Sequence, residues 1–221
     1  MNFVNIVVYI ADFVGTIAFA FSGAMVAIRY RMDLFGVLIL AGFTSLGGGT
    51  IRDVLLGQTP PRMFTSYLYL LIAAVTAFVT FTIAYLLRGR EMKNPDKLYD
   101  FINFIDAFGL GSFVVTGTSL PMISGYADNV FMCVFLGMTT GIGGGVLRDL
   151  MTRDIPVVLR KDVYAVAAIA GSLSYYLLVR YIPGSEPIAT IVCVVVTVTL
   201  RMLATAYRWN LPRINYPKDM F

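Results

Sequence analysis

The sequence predicts an all-α integral membrane protein: seven transmembrane helices, arranged as two inverted three-helix repeats followed by a seventh helix. Three observations carry that expectation. The chain of 221 residues is 58% hydrophobic and only 14% charged, against roughly 45–50% and about 25% in soluble domains. Its mean hydropathy is +0.77, which leaves too little polar surface to dress a water-soluble globule. Finally, one unusual string, Gly-Gly-Gly-x-x-Arg-Asp, occurs twice, at Gly47–Asp53 and at Gly143–Asp149.

The spans follow in order, each long enough to cross ~30 Å of hydrocarbon at about 1.5 Å per residue. The first covers 4–28 and stops at Arg29-Tyr30-Arg31-Met32-Asp33. It carries Asp12 and lacks a basic leader, so it does not read as a signal peptide. The second, 34–57, ends before Pro60-Pro61-Arg62, and the third, 64–87, ends at the charged stretch from Arg88 to Asp100. Spans four and five cover 101–123 and 129–152, punctuated by Pro121 and Pro156. The sixth, 162–180, stops before Pro183-Gly184-Ser185, and the seventh covers 188–206. One transmembrane domain over 1–221 results: a first repeat of about 4–87, a linker 88–100, a second repeat of about 101–180, helix seven at about 188–206 and a tail 207–221.

Basic residues in alternate loops set the orientation. The loops after spans one, three and five and the C-terminal tail hold twelve: Arg29, Arg31, Arg88, Arg90, Lys93, Lys97, Arg153, Arg160, Lys161, Arg208, Arg213 and Lys218. The opposite side holds only Arg62 and Arg180. That bias predicts an N-terminus outside and a cytoplasmic C-terminus.

At an offset of 96, Thr44–Asp53 aligns with Thr140–Asp149, and Pro60 with Pro156. At an offset of 94, Asp12, Gly15, Phe19 and Gly23 meet Asp106, Gly109, Phe113 and Gly117. Each repeat unit has three spans, an odd number, so the two copies enter the membrane from opposite sides. Inverted repeats characterise proteins that pass solutes through membranes, with the pathway at the repeat interface. The alternative is a duplication that serves stability alone.

Consecutive glycines weaken a helix by roughly 1 kcal/mol each relative to alanine. Gly47, Gly48 and Gly49, and again Gly143, Gly144 and Gly145, are therefore expected to kink spans two and five near mid-membrane, facing one another. Carbonyls freed there could line an ion path; the other reading is close helix packing through small residues. Asp12, Arg52, Asp53, Asp106, Arg148 and Asp149 lie inside spans, where ionisable groups are costly and face a bundle interior or a cavity. Asp/Arg pairing across the repeats is expected, either to fix helix register or to shape a pathway. Phe19 and Phe113, on symmetric helices, could narrow a pore, and Arg201 is expected to snorkel to the cytoplasmic surface.

Composition also excludes function classes. The chain has no histidine, which removes histidine acid–base catalysis, histidine metal sites and histidine pH switches. Cys133 and Cys193 sit in apolar runs, away from any zinc or disulfide pattern. The glycine string lacks the Gly-Lys-Ser/Thr ending of a phosphate-binding loop, and no serine has a base to activate it. An enzyme, a cofactor, a structural metal and a nucleic-acid partner are not expected.

Two Gly-Gly-Gly-x-x-Arg-Asp strings in a three-plus-three-plus-one chain resemble the prokaryotic trimeric intracellular cation (TRIC) channel family, many of whose bacterial members are also described as glycine-transporter-like. Ser22–Arg29 and Met32–Val37 resemble the same members. The resemblance implies a homotrimer in the plasma (inner) membrane of a prokaryote, each protomer carrying its own pore beside kinked spans two and five. It implies conduction of potassium and, less selectively, of sodium, with membrane lipids as the other partners. The competing reading is a secondary transporter of glycine or another small zwitterion, since an inverted repeat also allows alternating access.

Overall fold

The computed structural model describes residues 3–87, 95–160, 163–207 and 209. Helix α1 (Phe3–Arg29) turns into α2 (Leu34–Leu55), and a short α3 (Arg62–Thr65) precedes α4 (Tyr67–Leu86). The second half repeats the order: α5 (Pro95–Pro121) continues into a π-helical turn (Met122–Tyr126), then come α6 (Val130–Met151), a short α7 (Val157–Arg160) and α8 (Val163–Tyr181). Helix α9 (Glu186–Ala206) closes the bundle. Seven of these helices are long and apolar enough to cross a membrane, and the described residues contain no strand.

The helix ends repeat as faithfully as the spans. Asp33 caps α2 by accepting from the Gly36 amide at 2.8 Å, and Asn129, 96 residues later, caps α6 by accepting from Met132 at 2.9 Å. Past the C-termini of the same helices, Gly57 (φ 69°) and Arg153 (φ 59°) occupy the left-handed region at equivalent positions. That conformation suits glycine and strains arginine.

Helices α1 and α5 pack against each other, as do α2 and α6, so the pseudo-twofold passes between the members of each pair. Buried Phe19, Phe113, Leu110 and Val114 fill the centre, while a small-residue cluster of Ala20, Ala24, Ala41, Ala73 and Ala77 lets α1, α2 and α4 approach closely. Large apolar side chains such as Tyr67 (82% exposed) and Phe131 (77%) point away from the bundle, as lipid-facing residues do. Helix α9 lies on α5 and α8 and has no counterpart on the first half.

Three expectations are corrected. Both glycine triplets lie inside unbroken α-helix, so spans two and five carry no helix break. The linker expected at 88–100 is helical from Pro95 onward, with 88–94 outside the described residues, as are 208 and 210–221 of the tail. The short helices α3 and α7 lie where loop or the start of span three was expected; Pro61 is the N-cap of the first and Pro156 immediately precedes the second.

Candidate functional site

The glycines bring α2 and α6 into backbone contact. A β-carbon built on Gly48 would stand 2.1 Å from the Thr140 carbonyl oxygen, and one on Gly144 would stand 1.9 Å from that of Thr44. The two contacts are symmetry mates, since 44 pairs with 140 and 48 with 144. The triplets do face one another, but as a tight crossing, in which continuous helix satisfies its own carbonyls. Gly49 and Gly145 instead face the charged groups: a β-carbon at Gly49 would have Arg52 Nη2 as its nearest neighbour, 3.6 Å away.

Beyond the crossing, each half holds a buried ion cluster built to one plan. In the first, Arg52 donates through Nε (3.0 Å) and Nη2 (2.9 Å) to Asp53 Oδ1, and its Nη1 stands 3.6 Å from Asp12 Oδ1. The other Asp53 oxygen accepts from the Arg62 amide at 2.9 Å, which ties the start of α3 to the cluster. In the second, Arg148 donates through Nε to Asp149 (2.9 Å) and through Nη1 to Asp106 (2.8 Å), and Asp149 Oδ2 accepts from the Val157 amide at 2.8 Å. The pairing expected across the repeats is thus found within each. The reason is reach: α1 with α2, and α5 with α6, present their charged turns side by side.

Hydroxyls make the cross-repeat links. Arg52 Nη1 donates to Thr116 at 3.3 Å, and Arg148 Nη1 donates to Ser22 at 2.7 Å, whose own hydroxyl donates to Asp106 at 3.0 Å. Ser22 and Thr116 stand 94 residues apart, just before the paired glycines 23 and 117, and that register marks them in the sequence.

Phe19 and Phe113 meet edge to face with centroids 5.1 Å apart, both buried. Gly15 and Gly109 make room for them: β-carbons there would lie 2.9 Å from the Phe113 ring and 2.5 Å from the Phe19 ring. On the first-half side of this pair lies a cavity of about 30 Å³, lined by Asp12, Thr16, Ser45, Thr50 and Tyr69 among others. In the second half Tyr164 donates to Asp106 Oδ2 at 3.2 Å, and Arg201 sits 4.4 Å above the Tyr164 ring. Arg201 is buried and faces the bundle interior, so it does not snorkel; the aromatic face of Tyr164 and the nearby acids hold it there. Tyr69, Tyr164, Ser22 and Thr116 are site residues that the charge pattern alone does not single out. At the ends of the bundle, Tyr30 donates to Asp154 and Gln58 to Ser124 (3.2 Å). These two links are again symmetry mates.

The chain matches the protein family described as glycine transporter over residues 9–85 and again over residues 103–180. It is 35% identical over 211 residues to a UPF0126 membrane protein of Vibrio cholerae, covering 95% of this chain and 84% of that protein. To the UPF0126 inner membrane protein YadS of Escherichia coli K12 it is 35% identical over 213 residues, covering 96% and 97%. A TRIC trimeric intracellular cation channel orthologue from Rhodobacter sphaeroides has the same fold, with a TM-score of 0.81 and 30% identity over 92% of this chain and 99% of that one. A structure solved to explain conductance through TRIC cation channels gives 0.79 and 36%, over 94% and 97%. With its glycine-rich string in both halves and a fold shared from end to end, the chain belongs to the prokaryotic TRIC channel family, which includes the bacterial glycine-transporter-like proteins.

Proposed function

We propose that this protein is a potassium-permeable channel for monovalent cations, a homotrimer with one pore in each protomer and no enzymatic activity. The observation that carries the reading is its likeness, in fold and sequence, to solved TRIC cation channels. The pathway follows the pseudo-twofold between α2 and α6, past the two ion clusters, with Phe19 and Phe113 as its narrowest point. Closed glycine crossings and an edge-to-face phenylalanine pair describe a shut pore; opening it requires α2 and α6 to part and the rings to turn. The loop basic residues support an N-terminus outside and a C-terminus in the cytoplasm. Arg29, Arg31 and Arg153 are all exposed, and the Tyr30–Asp154 bond gathers their loops at one end. The inner-membrane location of YadS fits the same picture.

The family description favours one competitor, uptake of glycine. Purified protein in planar bilayers is expected to give unitary potassium currents whose reversal potential follows the potassium gradient. Silence at every voltage together with saturable glycine uptake in proteoliposomes would replace the channel with the transporter.

A further inference from the structure

The two ion clusters share a plan but not a fit. In the second half the contacts are direct: Arg148 Nη1 donates to Asp106 Oδ1 at 2.8 Å, and Tyr164 donates to Asp106 Oδ2 at 3.2 Å. In the first half both counterparts stay open. Arg52 Nη1 stands 3.6 Å from Asp12 Oδ1, beyond direct hydrogen-bonding range. Tyr69 precedes Tyr164 by 95 residues, within the register of the repeat, and each lies in the first turn of its helix, α4 or α8. It is 8% exposed, and its hydroxyl has no hydrogen-bond partner among the described residues.

The cavity of about 30 Å³ lies where these two links are open, with Asp12, Arg52 and Tyr69 all in its lining. Arg62, half-exposed, sits at its mouth. The charged lining sets Asp12 and Asp53 against Arg52 and Arg62, so it carries no net charge and favours neither a cation nor an anion. What it offers is a mixture of donors and acceptors. Arg52 can only donate, the Asp12 carboxylate can only accept, and the Tyr69 phenol can do either. Thr16 and Ser45 give their protons to carbonyls one turn back, those of Asp12 (2.7 Å) and Ala41 (2.8 Å), and keep lone pairs for the cavity. A neutral guest with two protons and two lone pairs suits all of these groups at once. The volume admits a water, and the polar partners that a buried water needs are present. Polar groups held apart beyond about 3.5 Å are also where a bridging water belongs.

We propose that this cavity is a hydration site, in which an ordered water joins Tyr69, Asp12 and Arg52 and supplies through one molecule the two links that the second half makes directly. One cluster is wet, and the other is closed by its own side chains. The site concerns how the buried charges are held, and it stands whether or not the protein conducts.

Crystals of the full chain that diffract well enough to show ordered solvent test it directly. Density within hydrogen-bonding distance of both the Tyr69 hydroxyl and the Asp12 carboxylate is expected, with no anomalous signal there after a thallium(I) acetate soak. Stability gives an independent reading. With the water in place, Tyr69→Phe removes a hydrogen bond and should lower the thermal midpoint by about 2–4 °C. Without it, the same change deletes a buried, unsatisfied hydroxyl and leaves the midpoint equal or higher. A cavity free of density, a thallium peak inside it, a Tyr69 hydroxyl bonded directly to Asp12, or a Tyr69→Phe protein as stable as wild type each overturns the site. Planar-bilayer currents, present or absent, test the channel reading separately.

Discussion

A methyl group added at Gly48 or Gly144 has nowhere to go, because a carbonyl oxygen of the facing helix already stands within 2.1 Å of its position. Backbone cannot step aside as a flexible side chain can, so Gly48→Ala and Gly144→Ala are each expected to cost about 1–3 kcal/mol through overpacking. Gly49→Ala, with its nearest neighbour at 3.6 Å, should instead stabilise by up to about 1 kcal/mol, the helix-propensity gain of alanine over glycine where the methyl has room. Thermal unfolding of the three variants in detergent checks the contrast. A kink shared by the whole triplet would make all three behave alike. The sequence made the glycine positions legible but not their task, because propensity describes an isolated helix. The facing helix in fact turns a weakness into a contact. The same limit explains the ion pairs: the charge pattern names six residues, yet which arginine reaches which acid depends on neighbouring turns of adjacent helices.

Between elements, the repeat is more exact in backbone than in residue identity. Gly57 and Arg153 share a left-handed conformation although their side chains have nothing in common. Arg153→Gly should therefore stabilise the turn after α6, by up to about 1 kcal/mol, as read from the denaturation midpoint. The end links diverge in chemistry as well: Gln58–Ser124 is neutral, whereas Tyr30–Asp154 can ionise. The hydrogen bond to Asp154 is the main cause that holds the Tyr30 hydroxyl above its ordinary value of 10.0. The link is thus intact below pH 10 and is lost as pH rises through the elevated value. An ultraviolet difference titration of wild type against Tyr30→Phe should place this phenol above the ordinary range, and Asp154→Asn should return it there. None of these links is visible in hydropathy, which reads spans well and the polar residues between them poorly. Even so, all seven spans and the inverted order follow from apolar length and the doubled string.

Across the whole molecule, α9 breaks the symmetry that the rest preserves. It packs mainly on the second half and carries Arg201 into it, with the guanidinium Nε left without a hydrogen bond among the described residues. Removing that cation takes a nearby positive charge away from Asp106. Arg201→Met is expected to destabilise by about 3–5 kcal/mol, the cost of breaking a buried charge set, whereas Arg62→Met at the half-exposed mouth should cost less than about 1 kcal/mol. Chemical denaturation in nanodiscs compares the two. From the sequence Arg201 looked like an end-of-helix cation; only the packing of α9 on α5 and α8 shows where its side chain lies.

Pairing within rather than across the repeats also bears on how the protein is made. The Arg148–Ser22 bond joins residues 126 positions apart and can form only after the second half's α6 has left the ribosome. Arg52, by contrast, meets Asp12 and Asp53 inside the segment that emerges first. Each half can enter the bilayer with its arginine already neutralised, and only hydroxyls, which lose little by waiting, are left to greet the second half when it arrives.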